Sequence, residues 1–351
     1  MSYFRSNIER MAGYTPGKQP KDGKYVKLNT NENPYPPSQK VLDAIQKAVN
    51  KDLRLYPDPL AVEAKEKIAS VLGVKPGQVI LGNGSDDILT IIIRSFVGYN
   101  EKVAVPYPTY SLYETLIEFQ EGELCNVDFR EDFSLPEDII IKGAKVTFLS
   151  NPNSPSGTLI PPETVSELAE KIDGVLVIDE AYVDFADSNC LELVDRHDNI
   201  IVLRTLSKSY SLAGLRLGFG IAQEQLINGM IKVKDSYNVD RLCIAGVIAA
   251  LDDQESMKEN VRKIRSTREF LTSSLTKLGF FVYPSQSNFV FARSPKGINT
   301  KNLFYELTKR KILVRYFDKP GTDNCLRITI GTDEEIRILM DNISAILNDE
   351  P

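Results

Sequence analysis

Six short apolar runs, QVILG, KVAVPYP, AKVTFLS, GVLVIDE, NIIVLRT and LRLGFGI, alternate with helix-like segments through the first two thirds of the chain. This alternation limits the fold more than any other feature. Each run is bounded by turn residues and apolar at consecutive positions, as suits strands buried on both faces of a mostly parallel sheet. Between the runs, residues 39–48, 60–72, 86–96, 110–120 and 162–171 repeat apolar side chains at three- and four-residue spacing, so each predicts a helix with one buried face. The expected class is α/β, a central sheet between helices.

After about Lys234 the texture changes. A long helical pattern over 257–278 is followed by FFVYPS, SNFVFAR, a helix near 301–309, ILVRYF, CLRITIG and a last helix over 334–347. That order predicts a smaller α+β domain, and 351 residues are enough for two. The crevice between them is the expected site, because open α/β sheets bind ligands beyond the carboxyl ends of their strands.

Composition removes several function classes. A net charge of −6 argues against nucleic acid or an anionic membrane as partner. The segment MSYFRSNIERMAGY lacks the apolar core of a signal peptide, and no uncharged apolar run reaches bilayer length, so a cytoplasmic location is expected. Cys125, Cys190, Cys243 and Cys325 are too scattered for a zinc site or a disulfide framework. The sole histidine, His197 in VDRHDN, can supply neither a histidine metal cluster nor an obvious Ser-His triad. Chemistry here must use lysine, tyrosine, carboxylates or a cofactor.

Four motifs fall at strand ends. VILGNGSDDIL reads as strand, glycine turn and helix, offering the amides of Gly84, Ser85 and Asp86 to a phosphate; a plain turn competes with this reading. It is no dinucleotide fingerprint, since Asp87 stands where the third glycine belongs. GVLVIDEAY ends in Asp179 and Glu180, with Tyr182 beyond; an ATPase reading fails because GYTPGKQ is one residue short of a phosphate loop and ends in glutamine. SNPNSPSGT follows another strand and would serve equally as a structural turn. In RTLSKSYSLAGLRLGFG, Lys208 could be an ordinary solvated charge, yet Ser207 and Arg216 beside it are suitable phosphate ligands. A lysine nucleophile, a phosphate cup and a strand-end carboxylate together describe a site for pyridoxal 5′-phosphate.

At this point the chain resembles the fold-type I, aspartate-aminotransferase-like family, and within it the histidinol-phosphate aminotransferases. LNTNENPYPPS, LRLYPDP, LGNGSDDIL, PYPTYSLY, SNPNSPSGT, VIDEAYVDF, RTLSKSYSLAGLRLGF, SNFVF and LRITIGT occur in the family's order along nearly the whole chain. The resemblance implies an N-terminal arm over 1–26, a large cofactor-binding domain over 27–236, a small domain over 237–351, and a homodimer. It implies a ping-pong transamination of L-histidinol phosphate with 2-oxoglutarate, giving imidazole-acetol phosphate and L-glutamate. A threonine-phosphate decarboxylase or an aromatic amino acid aminotransferase could share the scaffold. The intact Lys208, Asp179 and Tyr182 set counts against a non-catalytic protein.

By the same resemblance, Lys208 matches the lysine that tethers the cofactor and acts as base, Asp179 the carboxylate facing the pyridine nitrogen, and Tyr182 the tyrosine near the ring's 3′-oxygen. Tyr110 would stack on the ring, and Ser207, Arg216, Gly84, Ser85 and Asp86 would hold the phosphate, with Tyr56 reaching it from the neighbouring subunit. Tyr14, Asn31, Arg315 and Arg327 match substrate-lining positions. The sequence departs from the family at Ser154, where relatives commonly carry asparagine; either Asn153 takes over that contact or Ser154 makes a weaker one, and Asn153 is the favoured expectation.

Overall fold

In the computed structural model, which describes residues 2–15, 17–20 and 23–349, all six apolar runs become strands. A two-residue strand, β1 (Val26–Lys27), comes first in the chain. β2 (Val79–Asn83), β3 (Lys102–Tyr107), β4 (Glu123–Asp128), β5 (Val146–Ser150), β6 (Val175–Asp179), β7 (Ile200–Thr205) and β8 (Leu217–Ala222) form one sheet in the order β2-β8-β7-β6-β5-β3-β4. Pairing is parallel from β4 through β7, and β8 alone runs against its neighbours β7 and β2.

Side-chain alternation along the strands creates two cores. Leu149, Leu176, Ile178, Ile200 and Val202 face one side, beneath the helices Val62–Leu72, Pro162–Lys171 and Arg241–Asp252. Phe148, Val177, Ile201 and Leu203 face the other, beneath Ser85–Phe96, Leu112–Phe119 and Glu224–Ile231. Residues buried on both faces explain why these strands read as continuous apolar runs.

The second layer contains β9 (Phe281–Val282), β10 (Phe289–Arg293), β11 (Ile312–Leu313), β12 (Arg315–Tyr316) and β13 (Cys325–Thr329). An antiparallel sheet runs in the order β12-β13-β10-β9, while β1 pairs in parallel with β11. Helices Gln254–Lys277, Thr300–Lys309 and Asp333–Asp349 complete it. Leu28, far away in sequence, is buried in this core with Leu271, Phe289, Leu303, Ile328 and Ile343.

Packing runs across the expected boundaries. Helix Arg241–Asp252, which lies beyond the division expected at 236/237, buries Cys243, Val247 and Leu251 in the large core. The arm expected over 1–26 divides its contacts. Asn7 donates to the Glu118 and Phe119 carbonyls at 3.1 and 3.3 Å on the large layer, whereas Val26 begins the strand that joins the small one. No helix among the described residues is long and apolar enough to cross a membrane.

Candidate active site

β2, β5, β6 and β7 end on the same edge of the sheet, at Asn83, Ser150, Asp179 and Thr205, and the loops beyond them build the site. After β2 the chain turns through Gly84, with φ +84°, into the helix Ser85–Phe96. The first-turn amides of a helix have no acceptor within it, and its dipole is positive there. The Gly84 amide itself donates to the Gly82 carbonyl at 2.8 Å, which leaves the helix's own first turn as the anion-facing part.

Close approach of backbones fixes this corner. A Cβ on Gly84 would lie 2.5 Å from Arg216 Nη2, and one on Gly218 would lie 2.2 Å from the Ser85 nitrogen. Arg216 enters from the loop before β8 in a left-handed conformation, φ +55°, and its guanidinium reaches Asp86 at 3.2 Å. Asn31 and Ser211 are also left-handed, with φ +55° and +60°. Such backbone settings at non-glycine residues are strained and concentrate at functional sites. Ser207 is buried, with its Oγ 2.9 Å from Thr205 Oγ1, which donates to the Leu217 carbonyl at 2.9 Å.

Lys208 lies in the loop after β7, and its amine stands 5.8 Å from the Tyr182 ring centre without an ion pair among the described residues. Asn33 holds the loop by donating to the Lys208 and Ser209 carbonyls at 2.9 and 3.2 Å. Asp179 is buried. Its oxygens accept from the Tyr113 hydroxyl at 2.7 Å and the Ala181 amide at 3.1 Å. Burial pushes its carboxyl up to about 6, against the downward pull of those two bonds and the Lys208 charge. Tyr182 is aimed by Asn31, whose amide donates to its hydroxyl at 2.9 Å, while Thr329 donates to the other end of that amide at 3.0 Å. Tyr110 donates to Asp86 at 3.3 Å and meets Tyr14 edge-on at 6.0 Å.

The small layer adds two arginines. Arg315 and Arg327 are direct cross-strand partners on β12 and β13, and both guanidinium groups lie 5.4 Å from the Phe317 ring centre. Arg327 donates to Ser154 Oγ and the Asn29 carbonyl, each at 3.1 Å, while its buried Nε has no partner. Among the described residues, Arg315 makes one hydrogen bond, to the Thr15 carbonyl at 3.1 Å. Like charges placed opposite each other on a sheet oppose folding, so this pair calls for an anion between them.

The chain matches the profile of the family described as aminotransferase class I and II over residues 23–343. It belongs to that family. The aminotransferase is 48% identical over 348 residues to histidinol-phosphate aminotransferase 1 of Nostoc sp., covering 99% of this chain and 98% of that relative. To the histidinol-phosphate aminotransferase of Geotalea daltonii it is 46% identical, with 96% and 97% covered. Among solved structures it resembles the histidinol-phosphate aminotransferase from Sinorhizobium meliloti in complex with pyridoxal-5′-phosphate, with a TM-score of 0.90, 26% identity and 99% of each chain covered.

Most of the expected residues lie around this one crevice, while the Gly84 amide is taken by Gly82 and the Tyr56 and Asn153 side chains are engaged elsewhere. Tyr56 is exposed at 78%, stacked on Tyr237 at 4.5 Å, with its carbonyl accepting from Arg241. Asn153 does not offer its side chain to the crevice. Its amide donates to the Pro108 carbonyl at 3.2 Å and Ser156 Oγ at 2.9 Å, and its Oδ1 accepts from Thr109 at 2.9 Å. Ser154 instead meets Arg327. The sequence reading also missed Asn33, Tyr113 and Gly218; the first two lie in the quoted LNTNENPYPPS and PYPTYSLY, and Gly218 in the lysine motif itself.

Proposed function

We propose that this aminotransferase acts on L-histidinol phosphate and 2-oxoglutarate, producing imidazole-acetol phosphate and L-glutamate, with pyridoxal 5′-phosphate as cofactor. The observation that carries the substrate assignment is the opposed Arg315 and Arg327 pair, which suits a doubly charged phosphate. Full-length likeness to relatives of that name supports it.

The residues fit the cofactor. A lysine amine without an ion pair, a buried carboxylate, a buried serine, an arginine and a helix N-terminus form one cup, and the orphaned Arg327 Nε could donate to a further anion. Bound there, pyridoxal phosphate supplies the electron sink that lets the substrate Cα release its proton. Lys208 Nζ would tether the cofactor at rest and, once displaced by the substrate amine, would be free to take the Cα proton and return it. Asp179, ionised, holds a proton on the pyridine nitrogen. Tyr182 Oη, aimed by Asn31, orients the ring's 3′-oxygen, and Ser154 Oγ takes the neighbouring position expected of Asn153. Ser207, Arg216 and the amides of Ser85 and Asp86 hold the 5′-phosphate, while Tyr110 covers the ring. Arg327 grips the carboxylate or phosphate of either substrate, and Arg315 and Tyr14 add to the phosphate end.

Two copies form the active unit in this reading, each lending Tyr56 to the other's phosphate cup. Exposed Leu42, Leu53, Leu55, Leu60 and Val62 near it in sequence support burial against a second copy.

A spectral titration of the purified holoenzyme tests the assignment. Histidinol phosphate and glutamate should each convert the bound cofactor to its pyridoxamine form. Conversion by aromatic amino acids with none by histidinol phosphate would overturn it.

A further inference from the structure

Behind Asp179 lies a group that touches neither substrate nor the expected position of the cofactor. Tyr113, on the helix Leu112–Phe119, is 0% exposed, and its hydroxyl donates to Asp179 Oδ2 at 2.7 Å. Its ring is clamped in that pose. It stacks on Phe148 at 4.6 Å with an interplanar angle of 8°, and meets Tyr110 edge-on at 5.5 Å. A tyrosine packed this tightly could have presented its edge to apolar neighbours alone; here its one polar atom is aimed at the strand-end carboxylate.

We infer that Tyr113 is a positioning residue that keeps Asp179 in its charged form, so that the shared proton stays on the cofactor's pyridine nitrogen. This rests on the reading that Asp179 faces that nitrogen. The direction of the hydrogen bond is settled by burial, which with the Asp179 charge holds the phenol protonated well above the usual tyrosine range; Tyr113 is therefore the donor. A donor to a carboxylate stabilises its anion. Burial and the Asp86 charge favour the neutral acid, while Tyr113, the Ala181 amide and Lys208 favour the anion. Of the three, the Tyr113 hydroxyl alone can be deleted with the ring left in place and without touching the cofactor tether or the backbone.

Replacing Tyr113 by phenylalanine keeps the ring and its stack on Phe148. The carboxylate then holds a proton more strongly, and the proton shifts from the pyridine nitrogen toward Asp179. Holoenzyme reconstituted with ring-15N-labelled pyridoxal phosphate reads this directly by NMR. In Tyr113→Phe the 15N resonance should move toward the unprotonated pyridine position, and the single-turnover rate with glutamate should fall about ten- to a hundredfold, the range for a hydrogen bond to a charged group. Phe148→Leu, which disturbs packing and leaves the hydroxyl, should lower the melting temperature and leave the 15N position unchanged.

A Tyr113→Phe resonance equal to the intact enzyme's, alongside one that moves in Asp179→Asn, would overturn the inference and keep the Asp179 assignment. An equal displacement in Phe148→Leu would reduce Tyr113 to a packing role. No displacement in Asp179→Asn would remove the Asp179 assignment and this inference with it.

Discussion

Replacement of Arg315 by alanine separates the two substrates the crevice must serve. Among the described residues Arg315 makes one exposed hydrogen bond, to the Thr15 carbonyl, and lies against Phe317. Contacts of that kind contribute about 0.5–1 kcal/mol each, so the variant should fold. Its loss also relieves repulsion from Arg327 across the strand pair. A phosphate dianion, by contrast, loses a forked charge-assisted contact of about 1.5–3 kcal/mol, which lowers kcat/KM roughly ten- to 150-fold. A carboxylate already gripped by Arg327 loses only the more distant charge. At about 7 Å in a water-like dielectric that is about 0.6 kcal/mol, or roughly threefold.

Because the ping-pong cycle separates the half-reactions, stopped-flow single turnovers give kcat/KM for histidinol phosphate and for glutamate independently. The ratio should fall about tenfold in Arg315→Ala. Arg315→Lys, which keeps the charge and loses the fork, should fall between. Arg327→Ala should damage both half-reactions, since it removes the shared anion grip and frees Ser154 Oγ and the Asn29 carbonyl. Equal losses for the two substrates in Arg315→Ala would refute the reasoning.

Borohydride reduction of the holoenzyme followed by peptide mapping should place the pyridoxyl label on Lys208 alone, and Lys208→Ala should abolish turnover; a label on another lysine removes the assignment. Asp179 gives a pH signature in the cofactor-free protein. Its folded pKa of about 6 lies above the ordinary 3.8, so the stability it contributes is full below about pH 4 and is lost as pH rises through 6, about 3 kcal/mol in all. Chemical denaturation of Asp179→Asn should lack that part of the decline, and an identical pH profile would count against it. Gly218→Ala puts a methyl group against the Ser85 nitrogen, so it should weaken cofactor binding and lower stability by about 1–3 kcal/mol; wild-type cofactor affinity would show that the corner can yield.

Legibility in the sequence followed the range of the forces involved. The runs that became β2, β3 and β5 to β8 were readable because burial on both faces demands apolar residues throughout. β4, an edge strand with sequence ELCNVD, buries only Val127 and gave no such run. Helix Arg241–Asp252 is not legible because RLCIAGVIAALD is small and apolar nearly all round, which leaves no amphipathic stripe to mark it.

The site divides in the same way. Lys208, Asp179 and Tyr182 follow strands whose ends can be read locally, so a chemically unusual residue there stands out. The choice between Asn153 and Ser154 cannot be made locally, because it depends on which side chain is captured by Thr109 and Pro108, more than 40 residues away. Tyr113 carries no local mark either: a tyrosine at a helical apolar position is what any core would use, and only the fold brings its hydroxyl to a carboxylate 66 residues along the chain. Gly218 is the extreme case, since its function is the absence of a side chain where another backbone passes. Residues that perform chemistry are thus visible as types at positions. Those that aim and tune them become visible when distant segments meet, and substitutions that spare Lys208, Asp179 and Tyr182 can still silence the site.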